Sequence, residues 1–440
     1  MTEQTASLAA RPWIPEPSAA LIQSIAEETA TADGVTIGAT IEQLITDNTT
    51  IHDRDCINLN PATNTMSPRA EAALAQGLGS RTSLGYAGAK YEMGLEAIER
   101  IEVVCAELAA RVFGAPFVEI RVPSGAIANL YAFMACAEPG DAVIVPPGSI
   151  AGHVTHHRAG AAGLYGLEIH EAPIDPDRYT IDVSGLAALA STTRPKVISV
   201  GSSLNIHHHD VTGIRAVADE VGATVLFDAA HLSGVIAGGA WPNPLERGAQ
   251  LVTMSTYKSL GGPTAGLIMT TDPSLAERIE AIAFPGLTAN FDAGNTAALA
   301  LTLADWLEHG VAYAEAMTAA AAALAAALDD RGVPVARFAG VHTRSHAFAI
   351  DVRAFGGGQA TAERLRSANL LTSAIGLPSG PDDGLRVGTN ELVRWGATAT
   401  DMAPLADLIA AALAAGDPSE VAADSTAFRS RFTEVQYAIR

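Results

Sequence analysis

Positive charge is what this 440-residue chain has least of: 27 Lys and Arg stand against 48 Asp and Glu, a formal net charge of −21. That balance argues against nucleic acid or an anionic membrane as partner, because both demand clustered basic side chains. A small anionic ligand is still compatible, since backbone N–H groups and a few arginines hold a phosphate locally. Cysteine is scarce too. Cys56, Cys105 and Cys136 are odd in number, far apart and lack a C-x-x-C spacing, so no disulfide framework is expected and a reducing cytoplasm fits. The start of the chain has no basic region followed by an apolar one, which gives no signal peptide. The longest small-apolar tract, 319–328, falls short of the ~18 residues of a membrane span. It reads as an alanine-rich helix ending at Asp329-Asp330-Arg331-Gly332. Neither an internal repeat nor a recognised metal-ligand spacing appears, so no metal is expected.

What is there points to a compact globular protein. Apolar residues are 48% of the chain and charged residues only 17%, enough for a large core, well-covered surfaces and association into an oligomer. Residues 17–52 read as helical, followed from Asn58 by an extended passage ending near Gly77-Leu78-Gly79. From about 95, helical stretches such as 95–113 and 212–221 alternate with short apolar runs at 118–122, 142–145, 196–200, 224–227, 251–254 and 266–269. That alternation predicts an α/β domain with a largely parallel sheet, whose ligands gather outside the carboxyl ends of the strands. Runs at 346–352 and 384–389 add a smaller α+β domain. The expected division is a helical arm over 1–55, a large α/β domain over 56–310 and a small domain over 311–440.

The chemistry concentrates at strand ends. Lys258 follows the run 251–254 and precedes the turn Gly261-Gly262-Pro263, while Asp228 ends the run 224–227. A lysine and an aspartate on neighbouring strands are what pyridoxal 5′-phosphate (PLP) requires. The amine anchors the cofactor covalently; the carboxylate keeps the pyridine nitrogen protonated, so the ring accepts electrons. Ser124-Gly125-Ala126-Ile127-Ala128-Asn129 follows a strand and opens a helix, a place where amides meet a phosphate; a simple tight turn reads the same. Gly152-His153-Val154-Thr155-His156-His157 offers an imidazole to lie over the ring or relay protons. His207-His208-His209 with Asp210 suggests a metal, yet neighbours in a run rarely point at one ion, and a polar loop after Ser203 is the plainer reading. Arg386 suits a substrate carboxylate, although its segment alone equally describes a surface ion pair.

Together these motifs resemble serine hydroxymethyltransferase and its relatives among the aspartate-aminotransferase-like, fold type I PLP enzymes, from about Ile57 to Gly396. The further markers are Gly85-Tyr86-Ala87-Gly88-Ala89-Lys90-Tyr91, Asp228-Ala229-Ala230-His231, Ser255-Thr256-Tyr257-Lys258, Phe284-Pro285-Gly286 and Gly384-Leu385-Arg386-Val387-Gly388-Thr389. The resemblance implies a mostly parallel seven-stranded sheet with a smaller α+β C-terminal domain. It makes Lys258 the anchoring lysine and Asp228 the partner of the pyridine nitrogen. His153 would stack on the ring, Ser203 would meet its phenolic oxygen, and His231 would lie near the ring. Ser124, Gly125 and Ala126 would hold the phosphate. Arg386 would bind the amino-acid carboxylate, Tyr86 would belong to the substrate site, and His153, His231 or Tyr257 would move protons. It also implies a homodimer or homotetramer with sites at the subunit interface.

The departures sharpen the expectation. The family's glutamate before Gly-Tyr-Pro-Gly is Leu84 here, the tyrosine two residues earlier is Thr82, and the second tyrosine of its Tyr-Tyr-Gly-Gly is Glu92. The histidine before the lysine is Tyr257. In the family that glutamate handles protons in folate-dependent one-carbon transfer, and leucine transfers none. Glu92 either compensates or is a surface carboxylate. Tetrahydrofolate is therefore doubtful. The expected reaction is cleavage or formation of the Cα–Cβ bond of a β-hydroxy-α-amino acid (serine, α-methylserine or a threonine-like substrate) with an aldehyde as co-product. Leu84 would leave room against a Cα methyl group. Folate-dependent hydroxymethyl transfer and a threonine-type transaldolase are the rivals, and a non-catalytic relative is a more distant one.

Overall fold

The computed structural model describes residues 8–440, which fall into two compact units divided between Cys56 and Ile57. The first unit is helical. Helix Glu16–Thr31 is followed by Gly34–Thr49, whose start is capped by Asp33 accepting from the Thr36 N–H at 2.8 Å. Neither helix buries a residue; Leu21, Ile25, Ile41, Leu44 and Ile45 are all exposed.

The second unit is built on a seven-stranded sheet: β1 (Phe117–Val122), β2 (Ala142–Val145), β3 (Glu168–Glu171), β4 (Val197–Val200), β5 (Thr224–Asp228), β6 (Leu251–Ser255) and β7 (Gly266–Thr270). Their spatial order is β1-β7-β6-β5-β4-β2-β3. Strand β7 runs antiparallel to both neighbours and every other pairing is parallel. The interior strands β4 and β6 are buried at every residue, Ser199, Thr253 and Ser255 included, as a sheet covered on both faces requires. Edge strand β3, Glu-Ile-His-Glu, was not predicted, because a single apolar residue leaves no pattern to read. The stretch expected to be extended after Asn60 contains the helix Pro68–Leu74, with its proline in the first turn.

A second, three-stranded antiparallel sheet combines β8 (Ala347–Asp351), β9 (Ser373–Leu377) and β10 (Gly380–Gly388) in the order β8-β10-β9. The 38-residue helix Ala293–Asp330 runs through position 310 and ends where the Asp329-Asp330 signal predicts. By length and composition this helix is apolar enough to cross a membrane, but half of its most apolar stretch is buried inside the protein. Leu299, Leu303, Trp306, Tyr313, Met317 and Leu324 lie in the main core, which accounts for the hydropathy.

Candidate active site

The turns that leave β1, β5 and β6 at their carboxyl ends converge on one place. After β1, Ser124 caps the helix Gly125–Cys136, its Oγ accepting from the Ile127 N–H at 3.2 Å. The amides of Gly125 and Ala126 sit in the first turn, where no intrahelical carbonyl reaches them. A Cβ on Gly125 would stand 2.3 Å from Ser255 Oγ, so glycine lets this turn approach β6 without moving that hydroxyl.

Strand β5 ends on Asp228, which is buried and fully satisfied. Its Oδ2 accepts from Asn129 Nδ2 and from His156 Nε2, both at 2.9 Å, and its Oδ1 accepts from the Ala230 N–H at 2.9 Å. Burial pushes the pKa up, but the bonds and charge of His156, with those from Asn129 and Ala230, hold the carboxyl well below its usual range. Asn129 is itself fixed, its Oδ1 accepting from Thr253 Oγ1 at 2.6 Å and its Nδ2 also donating to Thr155 Oγ1 at 3.0 Å.

Lys258 follows β6 and is 6% exposed. Its Nζ lies 3.3 Å from His231 Nε2, and that same nitrogen lies 3.3 Å from Arg386 Nη1. Burial lowers the lysine pKa to about 8; Arg386 lowers it too, against the pull of Asp228. Burial, then the charges of Lys258 and Arg386, push His231 well below its ordinary value. The imidazole is thus neutral. Facing two cationic donors, Nε2 is the acceptor, which assigns the proton to Nδ1, a buried atom with no hydrogen-bond partner. Arg386, on β10, donates to the Ser203 carbonyl at 2.8 Å and to Ser373 Oγ at 3.1 Å. These partners, with His231, are all uncharged, and burial lowers the guanidinium pKa to about 10.

Of the residues singled out from the sequence, Ser124, Gly125, Ala126, His153, Ser203, Asp228, His231, Tyr257 and Lys258 line one cavity of about 90 Å³. Arg386 meets this group through His231 and Ser203. His153 Nδ1 lies 2.9 Å from Thr155 Oγ1, and burial lowers its pKa. The Tyr257 ring centroid is 5.8 Å from Lys258 Nζ.

A sequence profile described as serine hydroxymethyltransferase matches residues 37–409. The chain belongs to this family. It is therefore a fold type I, PLP-dependent enzyme of the hydroxymethyltransferase and aldolase class. It is 58% identical to an alpha-methylserine aldolase of Variovorax paradoxus over 439 residues, 99% of each chain. A protein of the same name from a Ralstonia species is 50% identical over 436 residues, 98% of this chain and 99% of the other. Similarity to a serine hydroxymethyltransferase of Methanopyrus kandleri is lower, 37% over 391 residues, 87% of this chain and 91% of the relative.

The residues around the cavity fit the family cofactor. A glycine-enforced cradle at a helix start suits a phosphate, and a charged, bonded carboxylate faces a buried, partly neutralised amine. Tyr86 lies elsewhere. It is half-exposed, packs edge-on against Phe284 with centroids 5.5 Å apart, and borders a separate cavity of about 410 Å³. In the same hairpin Glu92 accepts from the Leu84 N–H at 3.1 Å, so its carboxylate closes its own loop. The second histidine run points in three directions: His207 Nε2 donates to the Phe338 carbonyl at 2.7 Å, His208 packs on Trp241, and buried His209 faces the Ile181 amide. Among the described residues, no group of three or more His, Cys, Asp or Glu has the arrangement of a metal site. Asn129 and His156 received no role from the sequence, although both stood in the motifs; only their spatial approach to Asp228 reveals one.

Proposed function

We propose that the protein is a folate-independent aldolase that cleaves α-methylserine to formaldehyde and alanine, and runs the reverse addition. The observation that carries this reading is the leucine at position 84, where the family's proton-handling glutamate stands, in a chain close along its whole length to alpha-methylserine aldolases. Leucine removes the carboxyl group that folate chemistry uses and adds an apolar wall that a Cα methyl group tolerates.

In this reading Lys258 anchors PLP, Asp228 faces the pyridine nitrogen and His153 lies over the ring. Ser124, Gly125 and Ala126 receive the phosphate, and Ser203 meets the phenolic oxygen. When bound, PLP is an electron sink for the pair released at Cα. Arg386 takes the substrate carboxylate as a two-pronged donor, replacing neutral partners with a charged one. The Cα–Cβ bond breaks as the β-hydroxyl loses its proton, formaldehyde leaves, and a proton returns to Cα, so no oxidant or reductant enters. His231, held neutral with its accepting Nε2 turned to Lys258 and Arg386, and Tyr257 are the residues assigned to carry those protons. The protein is assigned to the cytoplasm as a homodimer or homotetramer. The exposed apolar side chains of the first unit and the position of Tyr86 outside the Lys258 cavity support an assembly in which a second copy supplies Tyr86 to the substrate site.

The test is to incubate the purified, PLP-loaded protein with α-methylserine without tetrahydrofolate, and to quantify formaldehyde and alanine. Equal amounts of both are expected. Turnover of L-serine that depends on tetrahydrofolate, with none of α-methylserine, would instead establish the hydroxymethyltransferase.

A further inference from the structure

Beyond the helix Ala422–Arg429 the chain turns back onto the long helix Ala293–Asp330. The Gln436 N–H donates to the Arg394 carbonyl and Arg394 Nη1 donates to the Tyr437 carbonyl, both at 2.7 Å. The Ile439 N–H donates to Asp305 Oδ1 at 2.8 Å. Tyr437 itself has φ +56°, a left-handed conformation that bulky residues rarely adopt. This conformation accompanies a stack: its ring lies on Tyr313, centroids 4.9 Å apart and planes 16° from parallel. Trp306 and the Arg394 guanidinium also pack against Tyr313, at 5.2 and 5.3 Å.

Tyr313 leads to the active site. Its hydroxyl donates to the Asn390 carbonyl at 2.7 Å and accepts from Asn64 Nδ2 at 2.9 Å. The same Asn64 amide donates to the backbone carbonyl of Lys258 at 3.0 Å, which also accepts from the Gly261 N–H at 3.0 Å. Trp306 Nε1 holds the next carbonyl but one, that of Leu260, at 2.7 Å. The turn 258–261 is thus pinned from behind by Asn64 and Trp306. Both touch Tyr313, and Tyr437 stacks on Tyr313.

We propose that Tyr437 is a positioning residue for Lys258, acting through Tyr313 and Asn64 to fix the backbone of the turn that carries the lysine. Without its stacking partner, Tyr313 is free to tilt, and a tilt takes its hydroxyl away from Asn64. Asn64 then loses the second anchor that aims its amide at Lys258. A displacement of the order of 1 Å in a reacting group is enough to slow an enzyme substantially. The competing role is plain coverage: residues 436–439 also lie over the buried ion pair of Arg394 and Asp305, 3.7 Å apart. Coverage alone predicts lost stability with the Lys258 turn unchanged.

The inference rests on Lys258 being the anchoring lysine, and the experiment keeps the two apart. In the full chain, Y437A, Y437F, N64A and the Y437A/N64A pair are compared by kcat and KM, and by hydrogen exchange of the Gly261 amide. Y437A is expected to lower kcat about tenfold with little change in KM, and to speed Gly261 exchange. Y437F, which keeps the stacked ring, restores both. N64A reproduces the loss, and the double variant is no worse than N64A alone, because both act along one route. Wild-type kcat and exchange in Y437A, or losses that simply add, would overturn the proposal. If Y437A does not fold, Y437L, which retains bulk without an aromatic face, takes its place in the same comparison. Failure of the wild type to take up PLP would defeat the anchoring role of Lys258, whereas the Gly261 exchange coupling is read without cofactor.

Discussion

The two sides of the Lys258 cavity are built on opposite electrostatic terms. On one side Asp228 has a donor for each of its bonded positions, and even the asparagine that serves it is held by Thr253. On the other, Lys258 and Arg386 share a single neutral imidazole and one carbonyl, with a hydroxyl nearby and no charged partner. Burying cations without anions is costly, and the lowered pKa values of Lys258 and Arg386 register that cost. The acidic side is complete before anything binds. In the proposed reading ligands complete the basic side: a cofactor bonded to the amine and a carboxylate on the guanidinium. Strain of this kind at a functional site favours occupied over empty protein.

Removing a group from either side tests that asymmetry. The largest effect is expected from Lys258→Ala, which abolishes covalent attachment; aldolase activity should fall by more than about 10³-fold, with no visible band of attached cofactor. An active variant carrying that band would end the assignment. Asp228→Asn removes a charge from the finished side but keeps its shape. Activity is expected to drop about 10²- to 10³-fold while PLP still attaches, because the charge proposed to face the ring nitrogen is what is lost. Retention of full activity would show that the carboxylate merely packs. For Arg386→Lys the loss should appear chiefly as a KM raised by about 10²-fold, since an ammonium cannot form the two-pronged contact. An unchanged KM with a lower kcat would move Arg386 out of substrate binding.

The same contrast explains what the sequence made legible. Lysine is rare here: Lys90, Lys196 and Lys258 are all there are, and only Lys258 follows a buried strand into a glycine turn. The charged chemistry at strand ends, Asp228, Lys258 and the cap at Ser124, is local, and local patterns are readable. So were the buried strands β4, β5 and β6, whose residues are mostly β-branched or apolar. Asn129, His156 and Asn64 were not, because each works across the fold: Asn64 reaches Lys258 over 194 positions and Asn129 reaches Asp228 over 99. Edge strand β3 escaped for the opposite reason, since its identity comes from pairing with β2 rather than from its own side chains. Arg386 could be read as a surface ion pair from its segment alone; burial on β10 with neutral partners removes that reading.

The gentlest probe of the unfinished side is pH. In the cofactor-free protein the Lys258 amine titrates near 8, against an ordinary 10.5. Between those values the unfolded chain holds a proton at this position that the folded one has released. The folded state therefore gains stability as pH rises through that window, by at most about 1.4 kcal/mol per unit, and gains nothing below it, where both states are protonated. Denaturant unfolding of the cofactor-free wild type and Lys258→Ala, compared from pH 7 to 10.5, isolates this contribution because every other group titrates in both. The difference between the two curves is expected to grow with pH only above about 8, and the rate of PLP attachment should rise around the same midpoint, since only the neutral amine reacts. Parallel unfolding curves, or attachment that keeps accelerating towards 10.5, would mean that the amine is solvated like a surface lysine, and the contrast between the two sides of the cavity would dissolve.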